Sequence, residues 1–176
     1  MSNLLRNIIR LILFILLQVF VLNEVPPLHQ YIMPYVYFLF ILWLPFNISR
    51  GGLLLVSFIT GIFLDFFTKT PGLHAAACVL IGYIRPFLIN LLLPQQGVDF
   101  NYREPSLSSL GFSQYATYVA LLTLFHHTWL FLIQSFQFGN LLYIILKIIG
   151  STLVTLLLIT IIEIIFIRKQ KFLTNT

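Results

Sequence analysis

Residues 61–85 read GIFLDFFTKTPGLHAAACVLIGYIR, and the architecture of the chain follows from them. Two apolar runs flank Lys69, Pro71 and Gly72, and a Pro-Gly pair between such runs is a turn signal. The segment therefore predicts a hairpin of two helices. It also carries Asp65 and Arg85. Ionisable side chains are costly inside a lipid bilayer, so each of these two indicates a bonding partner or a function.

The composition of the whole chain predicts a membrane protein. Hydrophobic residues make up 59% of it and charged residues only 9%, whereas a typical soluble domain has about 25% charged residues. We therefore expect the net charge of +5 to lie at one membrane face rather than to bind nucleic acid. The single cysteine, Cys78, excludes an internal disulfide.

The apolar runs predict an all-α integral membrane protein, a six-helix transmembrane bundle in a single domain of residues 1–176, because each run approaches the ~20 residues that a span needs. The spans are approximately residues 5–22, 31–46, 53–67, 73–93, 114–136 and 141–167. The first follows Arg6 and Arg10 as a signal peptide would, but it lacks a small-residue cleavage site, so we expect it to be retained. Pro34, Pro45 and Pro86 predict kinks.

The basic residues predict that both termini and the polar loop of residues 94–113 face the cytoplasm. Seven basic residues fall on that side, and only Lys69 falls on the other. The seven are Arg6, Arg10, Arg50, Arg103, Arg168, Lys169 and Lys171. Tyrosines 31, 35, 37 and 143 are then expected at the outer interface. Residues 106–110 suit either a protein contact or a short interfacial helix, which we favour.

Two alternatives remain open for each charged residue of the hairpin. Asp65 is either a hydrogen-bonding residue of an outward-facing hollow or a helix-end acid paired with Lys69 at i+4. Arg85 lies about 18 Å from Leu73 along a helix. It is either a buried anchor for a carboxylate or for backbone carbonyls, or a side chain that snorkels to the interface. We expect both residues to matter for partner assembly rather than for membrane insertion.

The sequence predicts no metal, cofactor or catalytic site, and nothing in it argues for an enzyme. His126 and His127 are adjacent, whereas a helix presents metal ligands at i and i+4. We expect them to hydrogen-bond between helices, with Gln134 as a candidate partner. Glu163 and Lys147 are expected to reach the membrane interfaces. The phosphate-binding loop, G-x-S-x-G and H-E-x-x-H motifs are absent from the sequence.

Small residues recur at four-residue spacing in the third and fourth spans, and such spacing lets helices approach closely. The pairs are Ser57 with Gly61, Gly72 with Ala76, and Cys78 with Gly82. The hairpin is therefore predicted to be the packed centre of the bundle.

Over its whole length the chain resembles the rod shape-determining protein MreD family. The most specific part is Gly61 followed by Asp65, then T-P-G-L-H-A at residues 70–75 and I-G-Y at residues 81–83. The chain departs from the family pattern in two ways. Lys69 stands where a small residue is common, and one residue of the usual Pro-Leu-Gly turn is missing.

This resemblance implies a non-catalytic scaffold of the machinery that elongates rod-shaped bacteria, in the cytoplasmic (inner) membrane. It implies binding to MreC, a protein with one span and a periplasmic β-rich part. It also implies action together with the actin-like MreB and the peptidoglycan synthases. The residues that we expect to be partner-binding or structural, from the resemblance and from the buried charges together, are Gly61, Asp65, Pro71, Gly72, His74, Gly82 and Arg85.

Members of that family are also similar in fold to the substrate-binding S-components of energy-coupling-factor vitamin transporters. The alternative function is therefore capture of a small molecule for import. S-components generally dock on their transporter through small residues spaced four apart in the first span. Residues 4–22 contain no Ala, Gly or Ser, so we favour the scaffold.

Overall fold

The structure is a computed structural model that describes residues 3–24, 32–92, 104–135 and 140–165, and within these ranges it contains helices and no β-strand. The helices are α1 (Asn3–Leu17, continued by a π-helical turn over Gln18–Leu22), α2 (Leu39–Leu42), α3 (Arg50–Thr68), α4 (Leu73–Leu92), α5 (Leu107–Leu110), α6 (Phe112–Gln134) and α7 (Leu141–Ile165). Five of them are long and apolar enough to cross a membrane, namely α1 with its π-helical turn, α3, α4, α6 and α7.

The five long helices are arranged around residues 32–44 in the order α1, α3, α4, α6 and α7, an arrangement that we call the ring. The most extensive contacts join α3 to α4, α4 to α6 and α6 to α7, and α1 contacts α3. Large apolar side chains cover the outside of the ring; Phe66, Phe87 and Leu153 are 80%, 68% and 63% exposed. Apolar surface on this scale marks a membrane or protein contact, as expected of a multi-pass membrane protein.

The predicted second span, residues 31–46, is not a transmembrane helix. Residues 32–36 form neither a helix nor a strand, a turn follows, and α2 has only four residues; residue 31 lies outside the described ranges. Pro34 and Pro45 explain the difference, because each disfavours helical geometry in the residue before it. They leave about nine residues for a helix, or ~14 Å, which does not cross the ~30 Å core of a bilayer.

Residues 32–44, which we call the central segment, fill the middle of the ring instead. Every side chain from Val36 to Leu42 is at most 4% exposed. Non-helical backbone is tolerated at membrane depth only where protein buries it, and here the five helices do so.

Contacts with α7 define the direction of the central segment. At its start, the backbone N–H of Met33 donates to the Ser151 hydroxyl (2.9 Å). At its end, the Trp43 indole donates to Glu163 (2.8 Å). Those two residues of α7 are about 18 Å apart along the helix axis. The central segment therefore runs alongside α7 over most of the thickness of the bundle.

The two ends of the bundle differ in their chemistry. The turn end holds residues 69–72, which join α3 to α4. The loop end holds Glu104, whose carboxylate accepts from Arg6 (2.5 Å) and Arg10 (2.9 Å) of α1. Arg10 also lies over the ring of Trp43, 5.7 Å from its centre. The start of α1 and the end of α7 thus share the loop end; the termini themselves, residues 1–2 and 166–176, lie outside the described ranges.

Candidate functional site

Two glycines bring α3 and α4 into close contact. A Cβ atom built on Gly61 would lie 2.7 Å from the carbonyl carbon of His74, and one built on Gly82 would lie 3.0 Å from the Cβ of Ser57. The small residues of the third and fourth spans are therefore used within the hairpin, between its own two helices.

Asp65 lies in the last turns of α3 and caps the start of α4. Its Oδ1 accepts from the backbone N–H of His74 (2.9 Å) and the hydroxyl of Thr70 (3.0 Å). Its Oδ2 accepts from the backbone N–H groups of Gly72 (3.1 Å) and Ala75 (3.0 Å). A carboxylate at this position satisfies N–H groups that have no partner within the helix and interacts favourably with the helix dipole.

Neither sequence-based alternative for Asp65 describes this arrangement. The carboxylate is bonded within the chain and only 4% of the residue is exposed. Lys69 is exposed and ends α3 in the left-handed region, with φ of 57°. Within the described residues, the ion pairs join Glu104 to α1 and none involves Asp65. Pro71 and Gly72 are exposed in the turn, where Gly72 adopts φ of 85°.

Arg85 is buried, with 1% of its surface exposed, and anchors the end of the central segment. Its Nε donates to the Tyr118 hydroxyl (3.0 Å), and its Nη2 donates to the backbone carbonyl of Leu44. The Tyr118 hydroxyl in turn donates to the carbonyl of Leu42 (3.0 Å). Of the two alternatives for Arg85, the structure shows the buried one, with a backbone carbonyl as acceptor.

Tyr37 of the central segment joins histidines from two helices. Its hydroxyl lies 3.0 Å from Nδ1 of His74 and 2.8 Å from Nε2 of His126, and the Cys78 Sγ lies 3.7 Å away. Nδ1 of His126 is buried without a partner among the described residues, so a proton on Nε2 avoids a stranded N–H. We therefore assign Tyr37 as an acceptor from His126 and Cys78 and as a donor to His74.

His127 supports the start of the central segment through Thr155. Its Nδ1 bonds the carbonyl of Thr123 (2.9 Å) and must be the donor, so its Nε2 accepts from the Thr155 hydroxyl (3.2 Å). The same hydroxyl accepts from the backbone N–H of Tyr35 (3.1 Å). His126 thus bonds the central segment directly, and the adjacent His127 supports it through Thr155.

Four helices supply the side chains that satisfy the backbone of the central segment. Gln18 of α1 accepts from the N–H of Val36 (2.8 Å) and donates to the carbonyl of Pro34 (3.2 Å). Arg85 of α4, Tyr118 of α6, and two residues of α7 complete the set. We call this set the clamp; its residues are Gln18, Arg85, Tyr118, Ser151 and Thr155.

Of the clamp residues, only Arg85 was expected from the sequence. Gln18, Ser151 and Thr155 were missed, although polar residues inside apolar spans are themselves a signal of contacts between helices. The outer aromatic belt was also wrong for Tyr35 and Tyr37, which are 8% and 0% exposed. They follow the central segment into the core.

Glu163 and Lys147 are bonded inside the bundle. Glu163 accepts from the Trp43 indole and from the Tyr115 hydroxyl. Lys147 is 8% exposed, its Nζ donates to Gln134 (3.2 Å), and it lies 4.7 Å from the centre of the Phe131 ring. Gln134 therefore bonds a lysine rather than the histidines for which it was a candidate.

The buried polar side chains of the bundle form hydrogen bonds with one another and with the backbone of the central segment. In the part of the chain that the structure describes, no three His, Cys, Asp or Glu side chains come together as a metal site. Comparison with protein-family models, with characterised proteins and with solved structures found no match for this chain.

Proposed function

We propose that the chain is a non-catalytic scaffold of the bacterial cytoplasmic membrane, with both termini in the cytoplasm. The observation that supports this is the internal bonding of the buried ionic side chains. Asp65 caps α4, Arg85 holds the central segment, and Lys147 bonds Gln134. An enzyme or a carrier would direct such groups at its substrate or ion, whereas these groups maintain the shape of the protein.

The resemblance of residues 61–85 to the MreD family supplies the proposed partner. In this proposal a single-span protein of the MreC type binds the outer, lipid-facing surface of the bundle. The complex then acts with MreB and the peptidoglycan synthases in cell elongation. Association of this kind comes mainly from close packing, since polar contacts between membrane helices contribute only about 0.6 kcal/mol on average.

Photo-crosslinking in native membranes tests the proposal and locates the surface. A photoreactive amino acid is placed at one exposed position on each of four helices: Leu13 on α1, Phe66 on α3, Leu124 on α6 and Leu153 on α7. We expect crosslinks to an MreC-type single-span protein from one or two neighbouring helices and not from all four. Crosslinks to the ATPase-bearing module of a transporter would contradict the scaffold.

Depletion of the protein gives a second test that does not depend on the crosslinker. We expect rod-shaped cells to become round or swollen. Supply of a vitamin should not restore their shape, because the proposed role is structural. A vitamin that copurifies with the protein, or that cures the defect, would favour the S-component alternative instead.

A further inference from the structure

The outer surface of the hairpin carries an open groove near the loop end. Its cavity volume is about 390 Å³. Residues of α3 line one side and residues of α4 line the other, namely Arg50 and Leu54, and Gly82, Tyr83, Phe87 and Asn90. Gly82 lies at the base of the groove, where α3 and α4 are in close contact through Ser57.

The groove is polar at one end and apolar along the rest of its length. Gly82 faces Ser57 across the hairpin. Arg50 lies about 10 Å from Ser57 towards the loop end, and Asn90 lies about 12 Å from Gly82 in the same direction. Arg50 and Asn90 therefore lie together at the end of the groove nearest the loop end of the bundle, which also carries Glu104. Leu54 and the exposed rings of Tyr83 and Phe87 lie farther from the loop end.

The positive charge of Arg50 at the groove favours an anionic ligand. Arg50 is exposed and forms no ion pair among the described residues. No acidic residue lines the groove. Arginine is a strong donor to phosphate because its planar fork matches two phosphate oxygens. The rest of the lining, farther from the loop end, is hydrophobic apart from the hydroxyl of Tyr83. The occupant must therefore carry an apolar part attached to its anionic part.

We propose that this groove binds one anionic phospholipid. Its phosphate bonds Arg50 and Asn90, and one acyl chain packs against Leu54, Tyr83 and Phe87. The lipid site is independent of the proposed scaffold role, because it uses neither a protein partner nor the clamp.

Native mass spectrometry of the protein released from detergent micelles tests the lipid site. The protein is exchanged into vesicles with equal amounts of phosphatidylglycerol and phosphatidylcholine, extracted, and its retained lipids are counted. We expect one phosphatidylglycerol to be retained in preference to phosphatidylcholine. The variant Arg50→Gln should lose about fivefold of that preference, the effect of one basic contact at a membrane surface.

Matched variants distinguish lipid binding in the groove from a general attraction of anionic lipid to the basic protein. Lys69→Gln removes one exposed positive charge at the turn end and should leave the preference unchanged. Phe87→Ala should reduce retention of both lipids, whereas Phe66→Ala, at another exposed phenylalanine of the hairpin, should not. Soluble glycerol phosphate should not compete, since it lacks the acyl chain.

Several results would overturn the lipid site. These are equal retention of the two lipids by the wild type, an undiminished preference in Arg50→Gln, or the same loss in Lys69→Gln. Evidence that a protein occupies the groove would do so as well, for example if Phe87→Ala released a copurifying protein while lipid retention stayed unchanged.

Discussion

The α3–α4 hairpin and the central segment solve the same physical problem in opposite ways. Both lie where water is excluded, so every backbone polar group needs a partner within the protein. The hairpin satisfies its backbone by forming helices, and a single side chain, Asp65, completes the start of α4. The central segment is mostly non-helical, and side chains of four helices satisfy its backbone.

The difference shows how local and distant residues share the work of folding. The hairpin depends on residues within a few turns of one another, such as Asp65 and Ala75. The central segment depends on residues far along the chain; Tyr35 bonds Thr155, 120 residues away. A substitution in the hairpin should therefore affect its own helices first, and one in the clamp should release the segment from the rest of the bundle.

The largest effect is expected from Asp65→Ala. The substitution leaves the buried N–H groups of His74 and Ala75 without an acceptor, and a stranded donor costs about 1–3 kcal/mol. We expect the free energy of unfolding to fall by roughly 3–5 kcal/mol, measured by reversible unfolding in mixed micelles. Asp65→Asn keeps one acceptor oxygen and should lose about half as much. Equal stability of Asp65→Ala and wild type would show that the cap is not needed.

Arg85→Ala is expected to be next in size. It strands the Leu44 carbonyl and leaves a cavity beside Tyr118, so we expect a loss of roughly 2–4 kcal/mol in the same assay. Arg85→Lys should be intermediate, because an ammonium group lacks the planar fork that serves both acceptors.

The exposed arginine of the same hairpin provides the control for Arg85. Arg50→Ala should change the stability by less than about 0.5 kcal/mol. A silent Arg85→Lys would contradict the clamp, because a snorkelling arginine is the case in which lysine serves equally well.

Gly61→Ala tests the close packing of the hairpin. The added Cβ meets the backbone between His74 and Ala75, which cannot move as a side chain can. Overpacking of this kind costs about 1–3 kcal/mol. Gly51→Ala is the matched control in the same helix, since nothing lies within 4 Å of its Cβ position. If both substitutions have the same effect on the unfolding free energy, the helices are not in close contact at Gly61.

The smallest effect is expected from Thr155→Val, which removes the acceptor of the Tyr35 N–H with little change in shape. We expect a loss of about 1 kcal/mol and faster hydrogen exchange at the Tyr35 amide, measured by mass spectrometry. Thr160→Val is the control, because that exposed hydroxyl bonds only the carbonyl of Leu156 in its own helix (2.8 Å). Unchanged exchange at Tyr35 would show that the segment is held by packing alone.

The amino-acid sequence was sufficient to predict the features that depend on near neighbours. Hydropathy predicted an all-helical membrane protein, and the Pro-Gly turn predicted the α3–α4 hairpin. Five of the six predicted spans are long helices. The small residues at four-residue spacing indicated a closely packed hairpin, and Gly61 and Gly82 do lie in its contact. These features follow from local spacing and composition, which are visible along the chain.

The path of residues 32–44 and the bonds of the charged residues depend instead on tertiary packing. Hydropathy does not distinguish an apolar helix from an apolar segment that is not helical. The prolines at positions 34 and 45 were interpreted as kinks within a helix. A non-helical segment is possible here because Gln18, Ser151 and Thr155 supply hydrogen-bond partners for its backbone. Their approach is set by the packing of helices distant in the chain, so the sequence pattern of residues 32–44 alone contains no record of it.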